Sequence, residues 1–344
     1  MTQHIYIYSP SGAVRDKAAF KRGIARLKKL GHEVEVDSAA LASHQRFAGD
    51  DDTRLAALHR AAASGAEVAL ISRGGYGLTR LLDRIDYKAV AKSIDGGTRF
   101  VGLSDFTALS LAVMAKTGKV TWAGPALCEG FGVDDKADEA DAHGHASNAT
   151  ASGPDDIMEA CFDDMITAQG EGAGWRTGKL PVPVQVTVPG ATTALRKAPP
   201  EVVVTDGAIH IKNATLWGGN LAVLSSLVGT PYLPRVKGGV LFLEDVAEHP
   251  YRIERMLTQL LHAGILGRQK AIVLGQFTEF KLVAHDRGFK LQSVVDWLRS
   301  QVKVPVLTNL PFGHVATKVL LPVGAKVDLI VQERDALLLW GHVR

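Results

Sequence analysis

Arg99-Phe100-Val101-Gly102-Leu103-Ser104-Asp105-Phe106-Thr107-Ala108-Leu109-Ser110-Leu111-Ala112-Val113-Met114 is the stretch on which the fold turns. Its first five residues are apolar enough for a buried strand, and the residues from Asp105 onward read as a helix. Ser104 stands at the junction. A hydroxyl there would rise above the end of a sheet with the free amides of a helix behind it, a geometry that suits a nucleophile attacking a carbonyl. The same position suits an ordinary helix cap, because a serine oxygen can accept an orphan amide proton. The flanking residues do not match the usual hydrolase elbow, which places glycine on both sides of the serine.

The same alternation runs outward from this junction. Ile5–Ser9, Glu33–Val36, Val68–Ile71, Phe100–Leu103 and Val120–Ala123 read as short strands. Helices are expected over Asp16–Leu30, Thr53–Ser64 and Leu78–Leu82, with Gly31 as a C-terminal stop. Strands and helices joined this closely imply a mostly parallel sheet covered on both faces, whose functional groups gather beyond the carboxyl ends of its strands. The expected fold class is therefore α/β: an N-terminal, mostly parallel Rossmann-like sheet domain over residues 1–126, followed by a C-terminal mixed α/β domain over 201–344. Residues 127–200 read as a linker or elaboration. They contain an acidic run from Gly132 to Glu139, turn-rich Asn148–Asp156, a helix near Asp155–Ala168 and an extended Pro181–Pro189.

In the second domain, strands are expected at Val202–Val204, Ala208–Ile211, Ala214–Leu216, Val240–Leu243, Ala271–Leu274 and Val302–Leu307, with Pro305 marking an edge or a bulge. Helices are expected over Gly218–Leu227, Tyr251–Ala263 and Leu291–Arg299, and small antiparallel strands over the tail from Val319 to Leu339.

Composition excludes several functions. The chain has 344 residues, 46% of them hydrophobic and 22% charged, which describes a folded protein long enough for two domains. Its 39 basic and 36 acidic residues leave a net charge of +3, with no basic cluster for nucleic acid. Ile5–Tyr8, followed at once by the turn Ser9-Pro10-Ser11-Gly12, reads as a strand rather than a signal-peptide core. No stretch approaches the length of a membrane span. A soluble, cytoplasmic protein is the expectation. Cys128 and Cys161 lack a Cys-x-x-Cys spacing and read as isolated thiols.

Four further groups carry possible chemistry. Arg73-Gly74-Gly75-Tyr76-Gly77 follows a strand, and its glycines can expose amides to a carboxylate, a phosphate or a developing oxyanion, or simply make a tight turn. It lacks the spacing of a dinucleotide or phosphate loop, so no cofactor is expected. Glu244 closes the strand that begins at Val240, where an acid can orient a histidine; the alternative reading of Asp245, Glu248 and His249 is a helix-start cluster. His314, in Asn309-Leu310-Pro311-Phe312-Gly313-His314, has the residue chemistry of a proton shuttle, with His249 as its rival. Asp141, His143 and His145 could ligate a metal but have no suitably spaced partner, so no metal is expected either. Ser104, Glu244 and His314 together have the order of a Ser–Glu–His triad, with oxyanion donors from the amides of Asp105 and Gly75.

Six motifs in order give this pattern a resemblance. They are Phe47-Ala48-Gly49, Arg73-Gly74-Gly75-Tyr76-Gly77, Gly102-Leu103-Ser104-Asp105-Phe106-Thr107, Leu216-Trp217-Gly218-Gly219-Asn220-Leu221, Leu243-Glu244-Asp245 with Glu248-His249-Pro250, and Phe312-Gly313-His314. Over nearly its full length the chain resembles the LD-carboxypeptidases, the muramoyltetrapeptide carboxypeptidase family of serine peptidases. That resemblance implies Ser104 as nucleophile, Glu244 as orienting acid and His314 as base, in a cleft between two domains. Arg73, Gly74, Tyr76 and Trp217 are the expected substrate contacts. It implies a metal-free homodimer that releases terminal D-alanine from murein tetrapeptides during peptidoglycan recycling. Two other readings stand beside it: a related peptidase that degrades peptide-nucleotide antibiotics or aminoacyl adenylates for self-immunity, and a non-enzymatic module that binds an anion or a peptide.

Overall fold

The computed structural model of the chain describes residues 2–134, 153–179, 202–205 and 208–343. Contacts divide it into two units. Among the described residues, the first contains those up to Gln169 and Ala316–Leu321, and the second those in Gly170–Val315 and Pro322–Val343. Among the described residues, the helix Asp156–Thr167 goes with the first unit and the strand Gly172–Arg176 with the second.

The first unit runs β1 (His4–Tyr8), α1 (Lys17–Lys29), β2 (Glu33–Val36), α2 (Asp51–Ala63), β3 (Val68–Ile71), α3 (Tyr87–Asp95), β4 (Arg99–Gly102), α4 (Phe106–Thr117), β5 (Thr121–Ala123) and α5 (Asp156–Thr167). Strands β2, β1, β3, β4 and β5 lie side by side in that order, each pair parallel. All four residues of β3 and the last four of β1 are buried, as expected of a parallel sheet with both faces covered. Asp16 caps α1 by accepting from the amides of Ala18 and Ala19, and Ala19, Phe20, Gly23 and Leu27 form the helix's buried stripe. Helix α4 is buried on every side from Phe106 to Val113 and stops at Gly118, whose φ is 69°.

The strand order reverses direction at β1 and β3, and ligands of open α/β sheets bind at such a switch point. Three loops emerge there from neighbouring strands: Ser9–Asp16 after β1, Ser72–Gly77 after β3 and Leu103–Asp105 after β4.

The second unit runs β6 (Gly172–Arg176), β7 (Val202–Thr205), β8 (Ala208–Asn220), α6 (Leu221–Ser226), β9 (Val240–Val246), α7 (Pro250–His262), β10 (Ala271–Thr278), α8 (Leu291–Gln301) and β11 (Val306–Leu307), then β12 (Leu321–Val323), β13 (Lys326–Gln332) and β14 (Asp335–Leu339). An eight-stranded sheet takes the order β11-β10-β9-β8-β13-β14-β6, with β7 beside β8. It is mixed. Strands β8 to β11 are parallel, whereas β13, β14, β6 and β7 pair antiparallel. Strand β12, which starts at the end of the returning segment 316–321, takes the place next to β5 in the first sheet.

Strand β8 joins the two halves of the second sheet, and it differs from expectation. Two separate strands over Ala208–Ile211 and Ala214–Leu216 were expected, and the structure makes one strand that passes Asn213 at a φ of 49°. The helix expected from Gly218 starts at Leu221, where the Asn220 side chain accepts from the amide of Val223. Gly218 is extended at a φ of 138°, and a Cβ there would lie 1.9 Å from the Phe242 carbonyl oxygen, so no other residue fits. Helix α3 was not anticipated although Asp86 caps it, and the expected strand Val302–Leu307 shortens to a parallel pair at the sheet edge after Pro305. The extended Pro181–Pro189, the acidic run beyond Asp134 and most of the turn-rich segment before Gly153 lie outside the described residues. Among the described residues no helix is long and apolar enough to cross a membrane.

Candidate active site

Ser104 occupies the tight link between β4 and α4, with a φ of 65° in the left-handed region that L-residues seldom adopt. The geometry separates its two readings. Helix α4 begins at Phe106, so the cap position belongs to Asp105, and no side chain caps this helix. Ser104 instead supplies a backbone carbonyl, which accepts from the Thr107 amide at 2.9 Å. The link is tight enough to require glycine on two sides. A Cβ on Gly102 would lie 2.5 Å from the Phe106 ring, and one on Gly74 would lie 2.7 Å from Ser104 Cβ and 3.1 Å from its Oγ.

Gly74 thus brings the Arg73–Gly77 loop directly against Ser104. The Gly74 carbonyl accepts from the Gly12 amide at 3.2 Å, which ties the loop to the end of β1. Gly75 and Gly77 have φ values of 115° and 142°, conformations that glycine alone adopts without strain. Arg73 turns back over this link: Nη1 donates to the Ala13 carbonyl at 3.4 Å, and Nε lies 3.5 Å from Glu129 Oε1. Tyr76 is 44% exposed, with its ring 5.9 Å from that of Phe47 and the Arg46 guanidinium 5.8 Å away. The Asp105 carboxylate is buried and accepts from Ser11 Oγ and from the Leu78 amide, each at 2.8 Å. Burial raises the Asp105 carboxyl above its ordinary range, against the pull of those two donors.

In the second unit, β9 is buried from Val240 to Asp245, so Glu244 is delivered to the carboxyl end of a parallel strand with no solvent exposure. Its Oε2 lies 2.9 Å from His314 Nδ1. A carboxylate can only accept here, so Nδ1 carries the proton and Nε2 is left as the basic nitrogen. Asn220 Nδ2 donates to Glu244 Oε1 at 3.2 Å and to Asp245 Oδ1 at 2.9 Å, which fixes both acids. Burial and the neighbouring Glu244 push the Asp245 carboxyl up to about 6.

Gly313 makes the contact possible. At a φ of 141° a Cβ would lie 3.0 Å from the Gln276 carbonyl and 3.3 Å from Glu244 Oε2. Gln276 holds the loop before it, with its amide donating to the Phe312 carbonyl at 2.9 Å and Nε2 to the Leu310 carbonyl at 3.0 Å.

The rival residues have other work. His249 is the N-cap of α7 ahead of Pro250, and its Nε2 lies 3.1 Å from Asp286 Oδ2, which places it in helix entry rather than beside Glu244. Trp217 is correctly part of β8 but is 1% exposed, and its indole N–H donates to Gln269 Oε1 at 2.9 Å. Its side chain is a core group, and the structure does not bring it to the Glu244–His314 pair. Sequence reasoning assigned no role to Asn220 or Ser11, both of which hold site carboxylates; the Gly218-Gly219-Asn220 run that ends β8 was the available signal for the first.

Cys128 and Cys161 are unpaired thiols, and burial pushes that of Cys128 up to about 12. Among the described residues no group of three or more His, Cys, Asp or Glu side chains is arranged to hold a metal ion; Asp141, His143 and His145 lie outside them.

Residues 5–124 match the model of the LD-carboxypeptidase N-terminal domain and residues 213–329 that of the LD-carboxypeptidase C-terminal domain. The chain is 30% identical over 313 residues to a probable murein peptide carboxypeptidase of Bacillus subtilis, covering 91% of this chain and 84% of that one. It is 25% identical over 263 residues to the microcin C7 self-immunity protein MccF of Escherichia coli, covering 74% and 69%. Among solved structures, the muramoyltetrapeptide carboxypeptidase of Oxalobacter formigenes has 35% identity and a TM-score of 0.75, with 98% of each chain covered.

Proposed function

The chain belongs to the LD-carboxypeptidase family, and from that premise we propose that it is a serine peptidase releasing terminal D-alanine from murein tetrapeptides in cytoplasmic peptidoglycan recycling. The observation that carries the reading is the His314 imidazole held by a fully buried Glu244 carboxylate. A buried acid that orients a histidine through Nδ1 is the working half of a serine triad.

In this reading His314 Nε2 takes the Ser104 proton as Oγ attacks the carbonyl of the bond before D-alanine. Glu244 stabilises the imidazolium that results. The negative oxygen of the tetrahedral intermediate is met by the amides of Asp105, at the start of α4, and of Gly75. His314 then gives its proton to the leaving D-alanine amine, and water hydrolyses the acyl-enzyme by the reverse proton path. Arg73, a fixed cation beside the glycine loop, and Tyr76, an exposed ring, are the proposed substrate contacts.

Purified protein incubated with two tetrapeptides that differ only in the last centre, D- or L-alanine, tests the proposal. Release of D-alanine alone, abolished in Ser104→Ala with the fold retained, is the expected result; exclusive release of L-alanine would reject it. Similarity to MccF favours one second reading, hydrolysis of a peptide-nucleotide or aminoacyl-adenylate substrate. Turnover of an aspartyl-adenylate analogue but of neither tetrapeptide would select that reading.

A further inference from the structure

One peptide bond in the first unit is held from both sides by buried charged groups. The Gly77 carbonyl accepts from Arg54 Nη1 at 2.9 Å, and the Leu78 amide of the same bond donates to Asp105 Oδ2 at 2.8 Å. Both side chains also reach the loop after β1. Arg54 Nη1 donates to the Pro10 carbonyl at 3.1 Å, and Asp105 Oδ2 accepts from Ser11 Oγ at 2.8 Å. Arg54 is 0% exposed and Asp105 1%. Beyond the clamp, Arg54 pairs with Asp51, and its guanidinium lies 4.8 Å from the centre of the Phe47 ring.

Such an arrangement is costly to bury and specific in what it fixes. Gly74, Gly75 and Gly77 leave the loop free to turn its peptide planes, because glycine resists almost no backbone conformation. Arg54 donating to the carbonyl on one side and Asp105 accepting from the amide on the other leave the Gly77–Leu78 plane a single orientation. Gly77 has no side chain because that cation comes so close: a Cβ there would lie 2.5 Å from Arg54 Nη1.

We infer that Asp105 and Arg54 are positioning residues which, by clamping the Gly77–Leu78 peptide, hold the amides of the glycine loop where negative charge develops on the substrate of Ser104. The inference deepens the proposed peptidase reading and rests on Ser104 being the nucleophile. Neither side chain need touch substrate. Asp105 thereby serves twice, with its amide at the start of α4 and its carboxylate on the loop that faces it.

The test compares Asp105→Leu and Arg54→Met with the conservative Asp105→Asn and Arg54→Lys, all in the full chain. Two rates are read: hydrolysis of the D-alanine tetrapeptide and phosphonylation of Ser104 Oγ by a fluorophosphonate, in which the new O–P bond displaces fluoride. Loss of the clamp is expected to lower kcat by roughly tenfold to a hundredfold, with KM changed by less than about threefold, and to slow phosphonylation to a similar degree. Asn keeps an acceptor and Lys a donor, so each should recover most of the loss.

Should the larger changes prevent folding, Ser11→Ala removes a single bond to Asp105 and is expected to lower kcat severalfold at constant KM. Unchanged kcat in folded Leu, Met and Ala variants would overturn the clamp, as would losses that follow the folded fraction alone. Turnover that survives Ser104→Ala would instead remove the nucleophile reading beneath it.

Discussion

Gly74 is the residue whose replacement asks most directly whether Ser104 is used. Its own φ is not in the left-handed region, so alanine is acceptable to the backbone and the whole effect is steric. A methyl group 2.7 Å from Ser104 Cβ must displace the hydroxyl or the loop by several tenths of an ångström. We expect Gly74→Ala to cost about 1–3 kcal/mol of stability. We also expect kcat to fall by at least about tenfold, because small misplacements of reacting groups are amplified in rate. Wild-type kcat in a folded variant would show that the loop and Ser104 need not meet.

Asp245 supplies a pH signature at the same scale. Its carboxyl titrates near 6 in the fold against 3.8 when unfolded, so between these values the native state binds the extra proton. Stability from this group is complete below about 4 and is lost as pH rises through about 6, by on the order of 3 kcal/mol. Asp245→Asn cannot titrate. Chemical denaturation of both proteins from pH 4 to 7 should show wild type losing stability relative to the variant across that window; parallel curves would refute the assignment.

At the scale of elements, the parallel units were legible because each boundary carried a local chemical signal. Asp16 before α1 and Gly118 after α4 are a cap and a stop that any residue-by-residue reading can see. Pro250 after His249 likewise marked helix entry, and α7 begins there. Long-range causes were not legible. Gly218 reads as a helix-leading turn until the Phe242 carbonyl is known to lie against it, and only then is the strand forced through to Asn220. In the same way Glu244 and His314 are 70 positions apart, and nothing in their spacing specifies a 2.9 Å contact; the motif order suggested the pair and the fold supplied it.

Helix α5 shows a cap with a second task. Asp155 accepts from the Met158 amide at 3.0 Å and from Thr317 Oγ1 at 2.5 Å, so it starts the helix and anchors the returning segment. Asp155→Ala should cost about 1–2 kcal/mol, measured as a shift in the denaturation midpoint. Thr317→Val should reproduce a smaller part of that loss, and additivity of the two would show that they do not interact.

At the scale of the molecule, the chain leaves the first unit at Gln169 and comes back to it for Ala316–Leu321. Val319, Leu320 and Leu321 are 6%, 2% and 0% exposed, and a Cβ on Gly124 would lie 2.9 Å from Leu320 Cγ. The return therefore covers the edge of the sheet beyond β5, which would otherwise present unpaired backbone groups and apolar side chains to solvent. A consequence is that the first unit cannot be cut out at its apparent end. Residues 1–169 expressed alone should associate through the bare edge, and the same fragment joined by a short linker to residues 316–321 should remain monomeric in size-exclusion and light-scattering measurements. A monomeric fragment 1–169 with a cooperative thermal transition would show the return to be dispensable. Neither fragment carries Glu244 or His314, so under the proposed peptidase reading both should also lack turnover while keeping Ser104.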